Sequence, residues 1–342
     1  MNPNRREEKE TRIKQLKVEQ NSKYQQNKIS VDIVQNTSVI RDSTKVAFVK
    51  DIPHTVSNSN INLQMITTNS FNYILHPGDV CDSDTSFFVY VYSHPAHHQN
   101  RELIRATWGN LTLYHPIKIS LLFFGGLSNE TTINKAIEVE GKKFQDIVQS
   151  SFLDTYRNLT YKAISAMKYI TENCETVKYI IKTDDDIFIN MFSAIELLQR
   201  RIQMYLYKRK ELICYFHIHA VAARERDSKW YVSEEEWPLL EYPKYCSGAS
   251  YIFTPDFALS VLKLSNIIKY FWLEDVYITG ILQSLMHVHQ IDIKSSFWFN
   301  ELVTLYESDE RFLTQWIFSH GVTYSKWKKL WQVNLKYVNK IR

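Results

Sequence analysis

The segment VKYIIKTDDDIFIN at residues 177–190 places three aspartates between two apolar runs. The first run is typical of a buried strand, and open α/β sheets bind ligands at the carboxyl ends of their strands. Because three like charges at the edge of a core repel one another, Asp184, Asp185 and Asp186 need a counterion. A divalent cation fits best, since hard cations prefer carboxylate oxygens. The alternative is a solvated turn whose aspartates cap a helix or face water.

The spacing of these aspartates excludes an EF-hand calcium site but not the metal site of a phosphohydrolase. An EF-hand alternates its ligands and needs a glycine and a glutamate at fixed positions, whereas these three aspartates are adjacent and neither residue follows at that spacing. A metal-dependent phosphohydrolase also gathers aspartates, so that activity stays open.

A second acidic element is FWLEDVYITG at residues 271–280. Glu274 and Asp275 lie there between bulky apolar side chains. Such surroundings raise the pKa of a carboxyl group toward a value useful in a general base. The alternative is that Asp275 caps a helix.

Three further segments carry side chains suited to sugar or phosphate. The small residues CSGAS at 246–250 allow a ligand or a backbone to approach closely. The segment KWYVSEEEWP at 229–238 concentrates aromatic and acidic residues, as carbohydrate-binding surfaces and ordinary packed loops both do. Arg101 and Arg105 are four residues apart, so they share a helix face that suits a diphosphate or a pair of surface acids.

The elements that must position these residues alternate between strands and helices. Continuous apolar runs predict strands buried on both faces, and helical spacing predicts helices of ten or more residues between them, which indicates an α/β sheet. The strands are predicted at 87–93, 117–126, 177–182, 214–220 and 250–255, and the helices near 101–108, 133–148, 153–170, 194–206 and 257–268. We predict one catalytic domain over residues 71–342 behind a polar stem or disordered linker over residues 1–70.

The composition excludes several classes of protein. With 342 residues, 44% apolar and 14% aromatic, the chain has too much potential core for a disordered or fibrous protein. A net charge of +4 gives no electrostatic reason to expect nucleic-acid binding. No stretch reaches the roughly 20 apolar residues of a membrane span, and no secretory signal core is visible.

The cysteines and glycosylation sequons indicate an oxidising compartment, although such sequons also occur by chance. The cysteines allow two disulfides in three possible pairings. The four cysteines are Cys81, Cys174, Cys214 and Cys246, and the candidate N-glycosylation sites are Asn36, Asn110, Asn129 and Asn158.

Taken in order, these segments resemble glycosyltransferase family 31, the β-1,3-galactosyltransferases and β-1,3-N-acetylglucosaminyltransferases. The resemblance covers roughly Phe71 to Trp331. Its motifs are RxxIRxTWG from Arg101, FxG at 124–126, DIVQ…FxDTYxNLTxK from Asp146, KTDDDIFIN from Lys182, YPxYCSG from Tyr242, EDVYxxG from Glu274 and HxV…W from His320. Two departures are Ser151, where the family usually has an acid, and Ala249, where a second glycine is common.

The resemblance implies a GT-A-type fold, a Rossmann-like mixed sheet flanked by helices. It implies a hexosyltransferase that moves a sugar from a UDP-sugar to a glycan hydroxyl in β-1,3 linkage with inversion, with galactose as the first expectation and Mn²⁺ as cofactor. The resemblance implies that the acceptor glycan is carried by a glycoprotein or a glycolipid. With a glycoprotein acceptor, the process is protein glycosylation. The alternatives are a β-1,3-N-acetylglucosaminyltransferase and a non-catalytic carbohydrate-binding relative.

The resemblance also implies roles for individual residues. Asp275 is expected to be the catalytic base, and Asp186 and His320 are expected to bind Mn²⁺. The residues expected to contact the donor nucleotide are Asp184 (near the ribose), Asp185, Arg101, Arg105 and Lys162. The residues expected to line the acceptor or donor-sugar pocket are Trp230, Glu235, Tyr251 and Glu274.

The resemblance implies a Golgi location, with a type II membrane anchor ahead of the stem. The sequence starts instead with the polar segment itself. We therefore expect an incomplete or alternative N-terminus rather than a cytosolic enzyme.

Overall fold

A computed structural model describes residues 72–204, 210–299 and 316–341. The predicted stem over residues 1–70 lies outside the described residues, so the boundary at residue 70 stays a prediction. The described part confirms the α/β class, with a mixed sheet and helices on both of its faces.

The central sheet has eight strands in the order β1-β4-β3-β2-β5-β8-β7-β9. Strands β2, β3, β4 and β5 are parallel, and β1 and β8 run antiparallel to their neighbours. The strands are β1 (Tyr73–Leu75), β2 (Phe87–Tyr92), β3 (Ile119–Leu127), β4 (Ile147–Leu153), β5 (Tyr179–Asp184), β6 (Ile187–Ile189), β7 (Glu211–His217), β8 (Tyr245–Phe253), β9 (His289–Asp292), β10 (Phe297–Phe299) and β11 (Phe318–His320).

The helices include five that overlap the predicted segments, with ends displaced by up to six residues, and one over Tyr324–Ile341 that was not predicted. They are α1 (His98–Arg105), α2 (Thr131–Phe144), α3 (Leu159–Asn173), α4 (Met191–Gln203), α5 (Pro255–Ser265), the short α6 (Glu274–Val276), which continues as a π-helix over Tyr277–Leu282, and α7 (Tyr324–Ile341). Single-turn 3₁₀ helices cover Leu111–Tyr114, Tyr156–Asn158 and Lys294–Ser296.

Strand β2 is a continuous apolar run because the sheet is covered on both faces, so that every residue of the strand is buried. Its alternate side chains enter two different layers. Phe87, Val89 and Val91 belong to a core cluster that also contains apolar side chains of α1, α2, α4 and α7. On the other face, Tyr90 contacts the rings of Phe124 and Phe253, against which α3 and α5 pack.

Strand β4 replaces part of a predicted helix. The helix predicted over 133–148 ends at Phe144, since Gln145 adopts a left-handed backbone with φ 54°. Residues from Ile147 then form β4, and the next helix begins at Leu159 rather than at 153. The apolar residues at the start of β4 continue the helical spacing of α2, so the sequence predicted a longer helix. In the structure these residues form a strand because they pair with β3.

The chain order creates a ligand crevice beside β2. From β2 the chain proceeds outward through β3 and β4, and then returns to form β5 on the other side of β2. Tyr92 and Asp184 are register partners at the carboxyl ends of these two strands. Such a reversal of strand order is where open α/β sheets bind ligands.

A second sheet brings the distant C-terminal part of the chain to this crevice. Its order is β10-β11-β6, and β11 pairs antiparallel with β6 so that His320 lies opposite Ile187. Since Ile187 directly follows the aspartate triplet, His320 is placed beside it.

All four cysteines are paired, as Cys81–Cys174 and Cys214–Cys246. The sequence left three pairings open, and the strand order selects one. Cys214 on β7 and Cys246 on β8 lie on neighbouring strands, so their bond ties the sheet beside the crevice.

Candidate active site

A cavity of about 560 Å³ opens at the carboxyl ends of β2 and β5. It brings together six of the twelve predicted site residues, although they are far apart in the chain. The predicted residues in its wall are Asp184, Asp186, Trp230, Glu274, Asp275 and His320. Lys182, Tyr92, Tyr156, Gly248 and Trp272 also line it.

Asp186 and His320 form one end of this site. The His320 Nε2 atom lies 3.7 Å from the Asp186 Oδ2 atom, and both side chains are partly exposed. A carboxylate oxygen and an imidazole nitrogen suit Mn²⁺. Within residues 72–204, 210–299 and 316–341, no cluster of three or more metal-binding side chains occurs. The Mn²⁺ site therefore stays a prediction, for which Asp186 and His320 offer one oxygen and one nitrogen ligand.

Lys182 is the buried cation of the site. Its side chain is 1% exposed, and its ammonium donates to Asp184 Oδ1 at 2.6 Å and to the Gly248 carbonyl. Burial acts to lower the pKa of Lys182, but the carboxylates of Asp184 and Glu274 outweigh it, so the pKa is raised. Lys182 therefore stays charged and fixes Asp184 relative to β8.

Asp184 has an unusual ionisation for a carboxyl group. Burial and the neighbouring Asp186 raise its pKa to about 6, although Lys182 acts in the opposite direction. Asp184 is the last residue of β5 and lines the cavity, so a ligand hydroxyl or a cation could contact its carboxyl group there.

Glu274 and Asp275 are adjacent in sequence but have different surroundings. Glu274 is 5% exposed, and its Oε1 atom accepts hydrogen bonds from Tyr251 at 2.6 Å and Tyr92 at 3.4 Å. Burial raises the pKa of Glu274 to about 7, against the lowering effect of Lys182. Glu274 thus belongs to a buried network with Tyr251, which is fully buried and, contrary to the prediction, does not line the cavity.

Asp275 is the better placed of the two for proton transfer. Burial raises its pKa, while the backbone N–H groups of Val276 and Gly248 act to lower it. A Cβ atom at position 248 would lie 2.8 Å from the Asp275 Oδ2 atom, so only glycine leaves this carboxylate its present position. Asp275 is therefore held tightly, in the cavity wall, with raised basicity.

We expect the stability of the fold to decrease as the pH rises from about 4.5 to about 7. The pKa of Glu274 is higher in the folded chain (about 7) than its ordinary 4.5, so the folded state binds more protons in this interval. That stabilisation is complete below pH 4.5 and is lost as the pH passes the folded pKa. Glu274→Gln should reduce the decrease by about 3 kcal/mol, measured by urea unfolding at pH 4.5 and pH 8.

The control for this prediction is Glu130→Gln, because Glu130 is exposed on the surface. It should show the same decrease as the wild type. An unchanged decrease in Glu274→Gln would contradict the assignment.

Arg101 and Arg105 do not contact the cavity, so their prediction as nucleotide ligands is corrected. Arg101 is 1% exposed, and its donors go to Glu140, to the Ser93 hydroxyl, and to two backbone carbonyls. Arg105 donates to Glu140 and Asp146. Glu140 is buried and Asp146 is half-buried. Arg101 thus ties the loop after β2 to α2, and Arg105 ties α1 to α2 and to the residue before β4.

Replacing Arg101 by methionine is expected to destabilise the fold by about 3 kcal/mol, because Glu140 loses a buried partner. Urea unfolding measures this loss. Arg200→Met is the matched control, since Arg200 is exposed and forms a surface pair with Glu196, and it should change stability by less than about 0.5 kcal/mol. A stable Arg101→Met variant with weakened UDP binding would instead restore the nucleotide role.

Lys162 and Asp185 also lie outside the cavity wall. Lys162 is buried and pairs with Asp154 at 2.8 Å. Asp185 is buried and accepts hydrogen bonds from His97 at 2.9 Å and from Asn100 at 3.2 Å. The middle aspartate of the triplet therefore ties the end of β5 to the start of α1, because side chains that follow a strand alternate in direction.

The predicted sugar-pocket residues divide in the structure. Trp230 lines the cavity and is 52% exposed. Glu235 is exposed and does not line it, because it lies on a turn that Glu236 closes by accepting from the Ser233 N–H group at 3.0 Å. The composition of residues 229–238 indicated a loop that does contribute to the cavity, but it did not show that Trp230 rather than Glu235 lines it.

Lys182 and Gly248 are residues whose roles the sequence reasoning missed. A lysine inside a buried strand next to three aspartates is a usable signal for Lys182. The closeness of Gly248 to Asp275 depends on packing between β8 and α6, which no local pattern shows.

The glycosylation candidates have different surroundings and stay predictions. Asn129 is exposed and Asn110 is half-buried. Asn158 is half-buried, and its amide donates to the Leu153 carbonyl at 2.8 Å. Asn36 lies outside the described residues. Among the helices of the described residues, none combines the length with the hydropathy of a membrane-spanning segment.

Comparison with known proteins identifies relatives. A family model described as Galactosyltransferase matches residues 99–294. Beta-1,3-galactosyltransferase 1 of mouse and human is 33% identical over 228 residues, covering 66% of this chain and 69% of each relative. Human beta-1,3-galactosyltransferase 2 is 32% identical over 265 residues, covering 76% of this chain and 61% of the relative.

Among solved structures, the galactosyltransferase LgtC in complex with donor and acceptor sugar analogs aligns with 73% of this chain and 95% of its own. The identity is 10% and the TM-score is 0.33. The family assignment depends instead on the matched residues, which include the aspartate triplet and Asp275. The chain belongs to the galactosyltransferase family and is a glycosyltransferase.

Proposed function

We propose that this glycosyltransferase moves galactose from UDP-galactose to a hydroxyl group of a glycan, in β-1,3 linkage and with inversion. The observation that carries the proposal is that one cavity holds both a basic carboxylate, Asp275, and a carboxylate–imidazole pair, Asp186 and His320. Galactose and the linkage are taken from the names of the relatives. The acceptor glycan would belong to a glycoprotein or glycolipid in the Golgi, where the oxidising compartment suits the two disulfides.

Asp186 and His320 would hold the Mn²⁺ ion. When bound, such an ion supplies positive charge that favours departure of a diphosphate. Asp184, fixed by Lys182, would accept a hydrogen bond from a ribose hydroxyl of the nucleotide. These residues would bind and orient the donor.

Asp275 would take the proton of the acceptor hydroxyl. The oxygen of that hydroxyl forms a bond to C1 of the donor sugar as the bond from C1 to UDP breaks, and UDP leaves with the electron pair. A single displacement converts an α-linked donor into a β-linked product. Burial favours this role, because it raises the basicity of the Asp275 carboxylate.

A donor screen tests the proposal. The purified full chain is incubated with UDP-galactose, UDP-glucose, UDP-N-acetylglucosamine or UDP-N-acetylgalactosamine, with Mn²⁺ or EDTA, and with methyl β-glycosides of galactose, N-acetylglucosamine and N-acetylgalactosamine as acceptors. We expect UDP release to be fastest with UDP-galactose, to require Mn²⁺, and to yield a β-1,3 disaccharide by NMR.

Other results would replace the proposal. Preference for UDP-N-acetylglucosamine would make the chain a β-1,3-N-acetylglucosaminyltransferase. Release of inorganic phosphate would indicate a phosphohydrolase. Sugar binding without UDP release from any donor would indicate a non-catalytic carbohydrate-binding protein.

A further inference from the structure

Lys182 contacts both the donor side and the base side of the active-site cavity. Its ammonium donates to Asp184 Oδ1 at 2.6 Å and to the carbonyl oxygen of Gly248. Asp184 ends β5 and Gly248 lies on β8, so this side chain joins two neighbouring strands where they reach the cavity. The reaction described above uses only the contact with Asp184.

The ammonium of Lys182 is buried between aromatic rings. The side chain is 1% exposed, and its Nζ atom lies 4.3 Å from the centre of the Tyr92 ring and 5.7 Å from that of Tyr251. Lys229 is also in the described cavity wall, but it is exposed. Because water screens a buried charge much less than an exposed one, Lys182 acts strongly on the carboxylates around it.

Gly248 connects Lys182 to the base. A Cβ atom at position 248 would lie 2.8 Å from the Asp275 Oδ2 atom, so this glycine and the carboxylate are in close contact. Burial raises the pKa of Asp275, and the Gly248 N–H group and Lys182 both act in the opposite direction. Since Lys182 holds the carbonyl of this glycine, it fixes the backbone against which the base packs.

Other titratable side chains also face Asp275. Glu274 precedes it on α6, and burial together with the Asp275 charge acts to raise the pKa of Glu274. Three tyrosines face it from other elements, and burial raises the pKa of each, so they stay neutral where carboxyl groups titrate. They are Tyr156, Tyr242 and Tyr245. Among these side chains, Lys182 is the cation.

We propose that Lys182 is a positioning residue for the base, which holds Asp275 ionised and in place through its charge and through Gly248. This inference rests on the proposed transferase function. It implies that the pH dependence of turnover depends on Lys182, because without this charge Asp275 would keep its proton to a higher pH.

The test is the pH profile of kcat for Lys182→Met, with the donor and acceptor that the donor screen selects. Methionine is an unbranched side chain like lysine, but it carries no charge. We expect the acid limb to move upward by about one pH unit, which is about a ten-fold loss of kcat on that limb. Lys182→Arg keeps the charge, so its acid limb should stay near the wild-type pH.

Lys162→Met is the matched control. Lys162 is also a buried lysine, and it pairs with Asp154 at 2.8 Å outside the described cavity wall. Its loss should lower the melting temperature, as the loss of Lys182 does, without moving the acid limb. An acid limb of Lys182→Met at the wild-type pH, or an equal shift in Lys162→Met, would overturn the positioning role.

A double variant decides the case in which Lys182→Met does not fold. Lys182→Met/Asp184→Asn leaves no unpaired carboxylate at position 184, and Asp184→Asn is its reference. At saturating donor, the acid limb of the double variant should lie about one pH unit above that of the reference. Equal limbs would overturn the role of Lys182 and leave the transferase function intact. Absence of transfer by the wild type would overturn the proposed function itself.

Discussion

Asp275→Asn is expected to lower kcat by about 10³-fold while UDP binding in the presence of Mn²⁺ persists. Asparagine keeps the size of the side chain, so the close packing against Gly248 is retained. It cannot take a proton from an acceptor hydroxyl, however, and the other three carboxylates in the described cavity wall have other partners, which for Asp186 is His320. Glu274 is bound to Tyr251 and Tyr92 inside the wall, and Asp184 is bound to Lys182.

The measurements are steady-state transfer by UDP release and UDP affinity by calorimetry. Asp79→Asn is the control, because Asp79 is an exposed aspartate that lies outside the cavity wall. Near-normal turnover of Asp275→Asn would show that the assigned base is wrong. Loss of UDP binding together with turnover would show that Asp275 holds the donor rather than a proton.

Asp186→Asn is expected to weaken Mn²⁺-dependent binding of UDP by more than about 100-fold. Substitution of a residue that only hydrogen-bonds to a metal ligand already costs roughly 10–100-fold in metal affinity. An amide oxygen carries no charge, so His320 would be left as the one strong donor of the pair. Calorimetric titration of UDP with Mn²⁺ and with EDTA separates the metal-dependent part of the affinity. This readout does not require catalysis.

The aspartate triplet supplies its own control. Asp185→Asn alters the neighbouring residue, which is buried against His97 and Asn100 and does not line the cavity. It should keep Mn²⁺-dependent UDP binding and lower the melting temperature. If Asp185→Asn abolishes that binding and Asp186→Asn retains it, the two assignments must be exchanged.

Much of the site was predictable because its signals are local. Three aspartates after a buried strand, and two carboxylates inside an apolar segment, conflict with ordinary burial rules. The structure places Asp184, Asp186, Glu274 and Asp275 in one cavity wall, as that conflict indicated. Their opposed surroundings, buried for Glu274 and open to the cavity for Asp275, were not visible in the sequence.

The errors concern residues whose role depends on a distant partner. Arg101 and Arg105 have the residue type and spacing of a diphosphate site, yet Glu140 and Asp146 take up their guanidinium groups. A sequence shows which charges are present but not which of them meet. The same limit applies to Lys162, whose partner is Asp154.

The α/β class, the strand that delivers the aspartate triplet, and the family resemblance follow from the sequence, because each is carried by short segments whose residues are neighbours in the chain. Which residues meet in the site depends on how those segments pack. Pairing of β11 with β6 places His320 beside Asp186, and packing of β8 on α6 places Gly248 against Asp275. These contacts join segments more than 25 residues apart, and strand order and core packing select among the partners that local spacing leaves open.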